Sequence, residues 1–303
     1  MSRHVSIIGC GHVGADVAFS IATQNLADHI SLFDKKEDKA FSEMLELKDM
    51  SSLINSHVLF DCNDESQLAT TDVVVVAIGP KVTETSNRLN ELFDTSTSVA
   101  QWVPKLKAAN FDGVVINITN PCDVITAHLA KLLELPKGRV FGTGTSLDSA
   151  RMRRLVGDTL GVDTASVYGY VMGEHGDSQF IPWSTIRVGG VAFTSWPAAQ
   201  DVDLMALEQH VRHGGWDVFA GKGWTSFGIA SAAARLVDAV FSDAHSVFAV
   251  SAFDEALQTQ IGQPAIIGAQ GVVQPVPVEL SAQERKRFED SAAVIKKAFA
   301  SLA

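Results

Sequence analysis

The chain is short of cysteine, of positive charge and of long apolar runs, and each shortage closes off a class of protein. Only Cys10, Cys62 and Cys122 occur in 303 residues; they are widely spaced, odd in number and form no C-x-x-C pair. That usage argues against a disulfide framework or a structural zinc site and for a reducing compartment. Lys and Arg total 24 against 35 Asp and Glu, a formal net charge of -11. A nucleic-acid partner held through phosphates is therefore not expected. A small anionic substrate remains allowed, provided that local arginines overcome the global field. No uninterrupted apolar run is long enough to cross a bilayer. The apolar residues Val5 to Ile8 are too few for a signal-peptide core and run into a glycine turn. The expected location is cytoplasmic. Repeats and low-complexity linkers are also missing, so one compact unit of two domains fits best.

What is present, at 46% hydrophobic and 19% charged, has the balance of a soluble globular protein with ample core. Val5 to Ile8 reads as a strand, Gly9-Cys10-Gly11-His12-Val13-Gly14 as a G-x-G-x-x-G turn, and Ala15 to Ala22 as a helix. In that context the glycines allow a tight turn, close approach of a pyrophosphate and close helix–strand packing, with the helix N-terminus facing the negative charge. A second strand, Ile30 to Phe33, ends at Asp34, twenty positions after Gly14, where a carboxylate can accept from the ribose hydroxyls of NAD. Further along, Lys35 to Asn55 reads as a helix and Val58 to Phe60 as a short strand. Asp72 to Ile78 and Val114 to Ile118 are near-continuous apolar strands of a parallel sheet, with a helix from about Leu89 to Ala109 between them. The polar stretch Lys81 to Asn87 is a candidate lid. Alternating buried strands and helices predict an α/β, doubly wound (Rossmann) dinucleotide domain over residues 1–144. An α+β substrate and catalytic domain is expected over 145–303. Within it Asp148 to Leu160 reads as a helix, Val167 to Met172 as a strand and Phe227 to Phe241 as a helix. Two late strand segments, Val247 to Val250 and Ala265 to Val273, precede a helix opened by the capping box Ser281 to Glu284.

Two constellations carry chemistry. In Gly173-Glu174-His175-Gly176-Asp177 an imidazole stands among acidic residues, which favour its charged form, and glycines, which let a ligand come close. In Asp148-Ser149-Ala150-Arg151 a carboxylate and a guanidinium three apart share one helix face. One can reach the histidine while the other forks onto an anion. Proton carrier, orienting carboxylate, anion clamp and NAD site together describe a hydride-transfer enzyme. No metal is expected.

These residues, with Asn120-Pro121 and Gly223-Trp224-Thr225-Ser226, resemble the NAD-dependent L-2-hydroxy acid dehydrogenases of the lactate/malate dehydrogenase family, nearly from end to end. Within it, Gly142 to Thr145, Arg151-Met152 and Gln263 to Gly268 are most similar to the L-2-hydroxyisocaproate branch. The resemblance implies a proton-transfer role for His175, an orienting role for Asp148, and Arg88 over the developing alkoxide. It implies substrate contacts from Arg151, Asn120, Thr225, Val82 and Ile229. It places Gly9, Gly11, His12, Val13, Gly14, Asp34, Ala77, Gly79 and Asn120 around NAD. Family members separate substrates six residues before the arginine matched by Arg88, with glutamine for lactate and arginine for malate. Val82 stands there; a slip of one residue puts Lys81 there instead. An apolar Val82 and the open Gly214-Gly215 favour a branched or bulky 2-oxo acid, with L-lactate dehydrogenase as the alternative. The resemblance also implies a homotetramer or dimer. Activation by fructose bisphosphate is not expected, because Arg153 matches one part of that site but Tyr168 replaces the histidine. Two other readings are weaker. A metal-requiring NAD-dependent glycosidase needs a cysteine near His175 in sequence, and a non-catalytic NAD-binding module would have no use for the His, Asp and Arg set.

Overall fold

The computed structural model describes residues 2–79 and 88–302, with the backbone alone at 88–91. β1 (His4–Ile8), β2 (His29–Phe33), β3 (Leu59–Cys62), β4 (Val73–Val76), β5 (Val114–Asn117) and β6 (Val140–Gly142) run parallel. Their spatial order, β6-β5-β4-β1-β2-β3, is the doubly wound one, with the order reversing between β1 and β4. Such a sheet is covered on both faces, and β4 shows how the sequence specifies this. Val73 and Val75 join the core under α1 (His12–Thr23) and α2 (Glu37–Ser51), while Val74 and Val76 join the opposite core. That second core lies under α3 (Arg88–Ala100), α4 (Val103–Ala108) and α5 (Cys122–Leu133). All four valines are buried, each stabilising the fold by roughly 1.5–3 kcal/mol.

Four expectations need correction. The helix expected as one piece to Ala109 is two, α3 and α4, broken just before Pro104, which stands in the first turn of α4 where its missing N–H costs nothing. The helix expected from Lys35 to Asn55 is shorter, Glu37–Ser51, with acidic residues in its first turn. The strand expected from Val167 to Met172 pairs only at β7 (Val167–Tyr168). Gly169, at φ +135°, turns the chain away, and Met172 and Gly173 make single bridges to Phe180 and Gly262. β7 forms a small antiparallel sheet with β8 (Arg187–Val188) and β9 (Val191–Ala192). The two late strand segments are three strands, β10 (Ser246–Asp254), β11 (Thr259–Gly268) and β12 (Gly271–Pro275). They do not form a separate sheet: β10 pairs antiparallel with β6, so the described residues carry one nine-stranded sheet through both halves of the chain.

The second half adds α6 (Ser146–Leu160), α7 (Leu204–Lys222), α8 (Phe227–Phe241) and α9 (Ala282–Ala300). α8 is rich in alanine and packs into the first half's core through Ala230, Ala233, Ala234 and Val237. The capping box is formed as expected, Ser281 Oγ accepting from Glu284 N and Glu284 accepting from Ser281 N.

Candidate active site

The carboxyl ends of the parallel strands hold the dinucleotide candidates. Gly9 follows β1 at φ +101°, and a Cβ there would lie 2.6 Å from the Ala77 carbonyl oxygen, so glycine alone lets the β1 turn pass the end of β4. Gly9 N donates to Phe33 O at 2.7 Å, and Ala77 N to Ile8 O at 2.8 Å. Gly11 and Gly79 are exposed, with open space where a Cβ would stand. Gly11 also caps α1 without any side-chain hydrogen bond, leaving first-turn N–H groups for an anion. Val13 and Gly14 lie in that first turn, Gly14 buried; His12 is exposed and stacks on Trp224, centroids 4.0 Å apart. Asp34 follows β2 and accepts from Cys10 N and Lys36 N, both at 2.9 Å, so its carboxylate is fixed beside the glycine turn. These residues fit a dinucleotide: a glycine turn open to a pyrophosphate, a helix N-terminus behind it and a carboxylate beside the turn to accept from ribose hydroxyls. Cys10 lies in the turn as an inert thiol, burial pushing its pKa up to about 12.

The proton and anion groups also converge. α6 carries Asp148 and Arg151 on one face, and the chain after Met172 brings His175 to them. His175 Nδ1 lies 2.7 Å from Asp148 Oδ2, and Arg151 Nη1 donates to Asp148 Oδ1 at 3.1 Å. The Asp148 side chain is 2% exposed and that of His175 29%, so the carboxylate is the inner member of the pair. Burial pulls the His175 pKa down, but the Asp148 charge and hydrogen bond, with Asp123, outweigh it and hold the pKa above its ordinary value. Burial pushes Asp148 up; His175, Arg151 and Gln179 more than offset this and keep it low. The acidic neighbour Glu174, expected to favour the charged ring, instead turns to Ser178, whose Oγ donates to it at 2.6 Å. Asp123 is the carboxylate missed from sequence: it accepts the His175 backbone N–H at 2.7 Å. Its signal was faint, an acid in the first turn of α5 three residues after Asn120. Ser251, which donates to it from β10, had none.

The remaining candidates are less closely gathered. Asn120 is exposed just beyond β5, Thr225 is half-buried between α7 and α8, and Ile229 leans on the core from the first turns of α8. Gly214 and Gly215 of α7 face Arg151, where added Cβ atoms would stand 3.3 Å from its Cδ and 3.6 Å from its Nη2. Val82 and Lys81 lie outside the described residues. Arg88 opens α3, and its side chain lies outside them as well. One other group, His4, His29 and Asp61, brings possible ligand atoms within 4.8 Å of one another near the amino ends of β1 and β2. Its two imidazoles are stacked 4.1 Å apart and 9° from parallel, which does not aim two lone pairs at one ion.

Two family descriptions match nearly the whole chain: the lactate/malate dehydrogenase NAD binding domain over residues 3–142, and the lactate/malate dehydrogenase alpha/beta C-terminal domain over 145–302. The chain belongs to the lactate/malate dehydrogenase family. The dehydrogenase is 36% identical to an L-lactate dehydrogenase 1 of Bifidobacterium longum subsp. longum, covering 98% of this chain and 97% of that one. It is 34% identical to an L-lactate dehydrogenase of Fusobacterium nucleatum subsp. nucleatum, covering 98% and 96%. Among solved structures, a minor L-lactate dehydrogenase from Enterococcus mundtii superposes with a TM-score of 0.96 at 29% identity, over 100% of this chain and 99% of that one. The dehydrogenase is thus an NAD-dependent oxidoreductase acting on the CH–OH group of a 2-hydroxy acid. Both of these relatives carry the name L-lactate dehydrogenase, not hydroxyisocaproate dehydrogenase.

Proposed function

We propose that this dehydrogenase interconverts L-lactate and pyruvate, with His175 moving the proton and Arg151 holding the substrate carboxylate. The observation that carries the chemistry is Asp148 touching both His175 and Arg151. One buried carboxylate fixes the tautomer of the ring and the direction of the guanidinium, so that proton and anion sites keep a constant spacing. Bound NADH supplies the hydride for reduction of the carbonyl. The free ring nitrogen of His175 donates its proton to the carbonyl oxygen in that direction and withdraws it in the other. In the same reading Arg88 stabilises the developing alkoxide. Asn120 lies by the nicotinamide and substrate oxygen, and Thr225, Ile229 and Val82 line the pocket. The glycine turn from Gly9 to Gly14, with Asp34, Ala77 and Gly79, holds the dinucleotide.

The choice of lactate rests on full-length relatives of that name. A second reading, a branched or bulky apolar acid of the 2-hydroxyisocaproate type, is favoured by Gly214 and Gly215, which leave the α7 face bare beside Arg151. NADH oxidation rates with pyruvate, oxaloacetate, 2-oxoisocaproate and phenylpyruvate under one set of conditions decide between them. Pyruvate leading in kcat/KM supports the first reading. 2-Oxoisocaproate or phenylpyruvate leading replaces it with the second, and oxaloacetate leading puts Lys81 at the discriminating position.

We place the domain boundary at 144/145, in the gap between the two family matches. Phe41 and Leu45 of α2 and Phe19 of α1 stay exposed, which supports a homotetramer or dimer formed through that face. The dearth of cysteine supports a cytoplasmic location, and no described helix is long and apolar enough to cross a membrane. Tyr168, exposed and without an imidazole, supports the absence of sugar-bisphosphate activation.

A further inference from the structure

The dehydrogenase has a second carboxylate behind its histidine. We propose that Asp123 is a positioning residue of the proton-transfer apparatus, acting on His175 through that residue's own backbone N–H and through its negative charge. Asp123 is 1% exposed in the first turn of α5. Oδ2 accepts the His175 N–H at 2.7 Å, and Oδ1 accepts the Ser251 hydroxyl at 2.6 Å. Ser251 is itself fully buried in β10. Three segments far apart in sequence thus meet at one carboxylate bonded to the backbone of His175. Asp148 fixes the ring of His175, and Asp123 fixes the backbone from which the ring projects.

Neither hydrogen-bond donor to Asp123 is a cation. The charged or titratable groups facing it are His175 and Glu174 from the loop after Met172 and Cys122 from its own helix. Cys122, pushed up to about 12 by burial, stays a neutral thiol. Burial therefore raises the Asp123 pKa to about 6, against the pull of Ser251 and of the His175 N–H and charge. Asp148, with an arginine beside it, remains ionised at lower pH. The two carboxylates consequently have different duties. Asp148 keeps its charge to lower pH than Asp123, which contributes its charge only above its own titration. While ionised, Asp123 adds to the proton affinity of His175.

Asp123→Asn keeps the shape and an acceptor oxygen for the His175 N–H but removes the charge. The His175 titration should then move toward acid by about half a unit to one unit, followed by NMR of its ring Cε1–H in the cofactor-free protein. The fall of pyruvate-reduction kcat/KM with rising pH should move the same way. Asp123→Ala leaves the N–H unpaired and should lower kcat/KM on the order of tenfold, with partial rescue in Asp123→Asn. Ser251→Ala keeps the carboxylate but removes its hydroxyl donor. Asp123 then binds its proton more readily, and the His175 titration should shift acidward by less than in Asp123→Asn. Wild-type titration and pH profiles in both Asp123→Asn and Ser251→Ala overturn the proposal. If Asp123→Asn does not fold, an unmoved Ser251→Ala titration overturns it alone.

Discussion

His12 and Trp224 lie face to face, their planes 6° apart, so that the glycine turn at the start of α1 touches the connection between α7 and α8. Lys222 completes the group, its Nζ 5.3 Å from the Trp224 ring. Thr225, the next residue, is a substrate candidate, so the stack joins the candidate cofactor and substrate regions. Trp224→Ala should raise KM for both NADH and the 2-oxo acid by about two- to tenfold, as expected for loss of one aromatic pair. Trp224→Phe should keep both within about twofold. The decisive comparison is steady-state kinetics of the two variants with each substrate varied in turn; an effect on one KM only would mean that the stack joins nothing.

Asp148→Asn tests the ring anchor. His175 has a raised pKa, so it stays protonated to a higher pH than an isolated imidazole would. If His175 carries the proton, reduction should fall as pH rises through that pKa, while oxidation, which would need the neutral ring, should increase. Replacing the carboxylate lowers the pKa and should shift both profiles toward acid. Profiles measured in both directions check this, and an unmoved pair would remove Asp148 from the role.

Arg151→Leu should leave NADH binding near normal and weaken the 2-oxo acid. Truncating one side of a buried charge pair costs on the order of 2–5 kcal/mol. Fluorescence titration with NADH beside kcat/KM for pyruvate separates the two effects. Wild-type efficiency would place the carboxylate clamp elsewhere.

Cofactor choice should follow Asp34. Its carboxylate, held by Cys10 N and Lys36 N, would repel a 2′-phosphate, so NADH should be preferred over NADPH. Asp34→Ser should narrow the preference, with Lys35 and Lys36 at hand for the phosphate. Equal efficiency of the wild type with both cofactors would contradict this.

Gly214→Ala separates the two substrate readings. Its new Cβ would press on the Arg151 side chain at 3.3 Å, whereas Gly215→Ala meets only ordinary contact at 3.6 Å. If the bare face of α7 serves a bulky substituent, Gly214→Ala should lower kcat/KM for 2-oxoisocaproate more than for pyruvate. Equal losses on both acids would show that the glycine only makes room for Arg151.

Local chemistry made much of this legible in sequence. The Val73–Val76 run names a strand covered on both faces, Phe227 to Phe241 is a helix at the expected residues, and Ser281 with Glu284 announces α9. His175, Asp148 and Arg151 could be singled out because their residue types have few other uses in such company, and the fold brings them together. Long-range partners were not legible. Which carboxylate lies behind His175 depends on a 52-residue separation, and sequence proximity pointed to Glu174 rather than Asp123. The end of β7 hangs on the backbone angle of Gly169, and the joining of β10 to β6 on pairing between distant parts of the chain.

That joining bears on how the molecule is made. The first six strands emerge from the ribosome with the flank of β6 still bare, since β10, which covers it, belongs to the last third of the chain. A strand flank of that kind recruits whatever strand it meets first. The dinucleotide half expressed by itself should therefore self-associate rather than stand as a stable domain, and the intact chain should melt as one cooperative unit. The seam between the halves is thus a β contact, Ser251 of β10 opposite Gly142 of β6, within one continuous sheet.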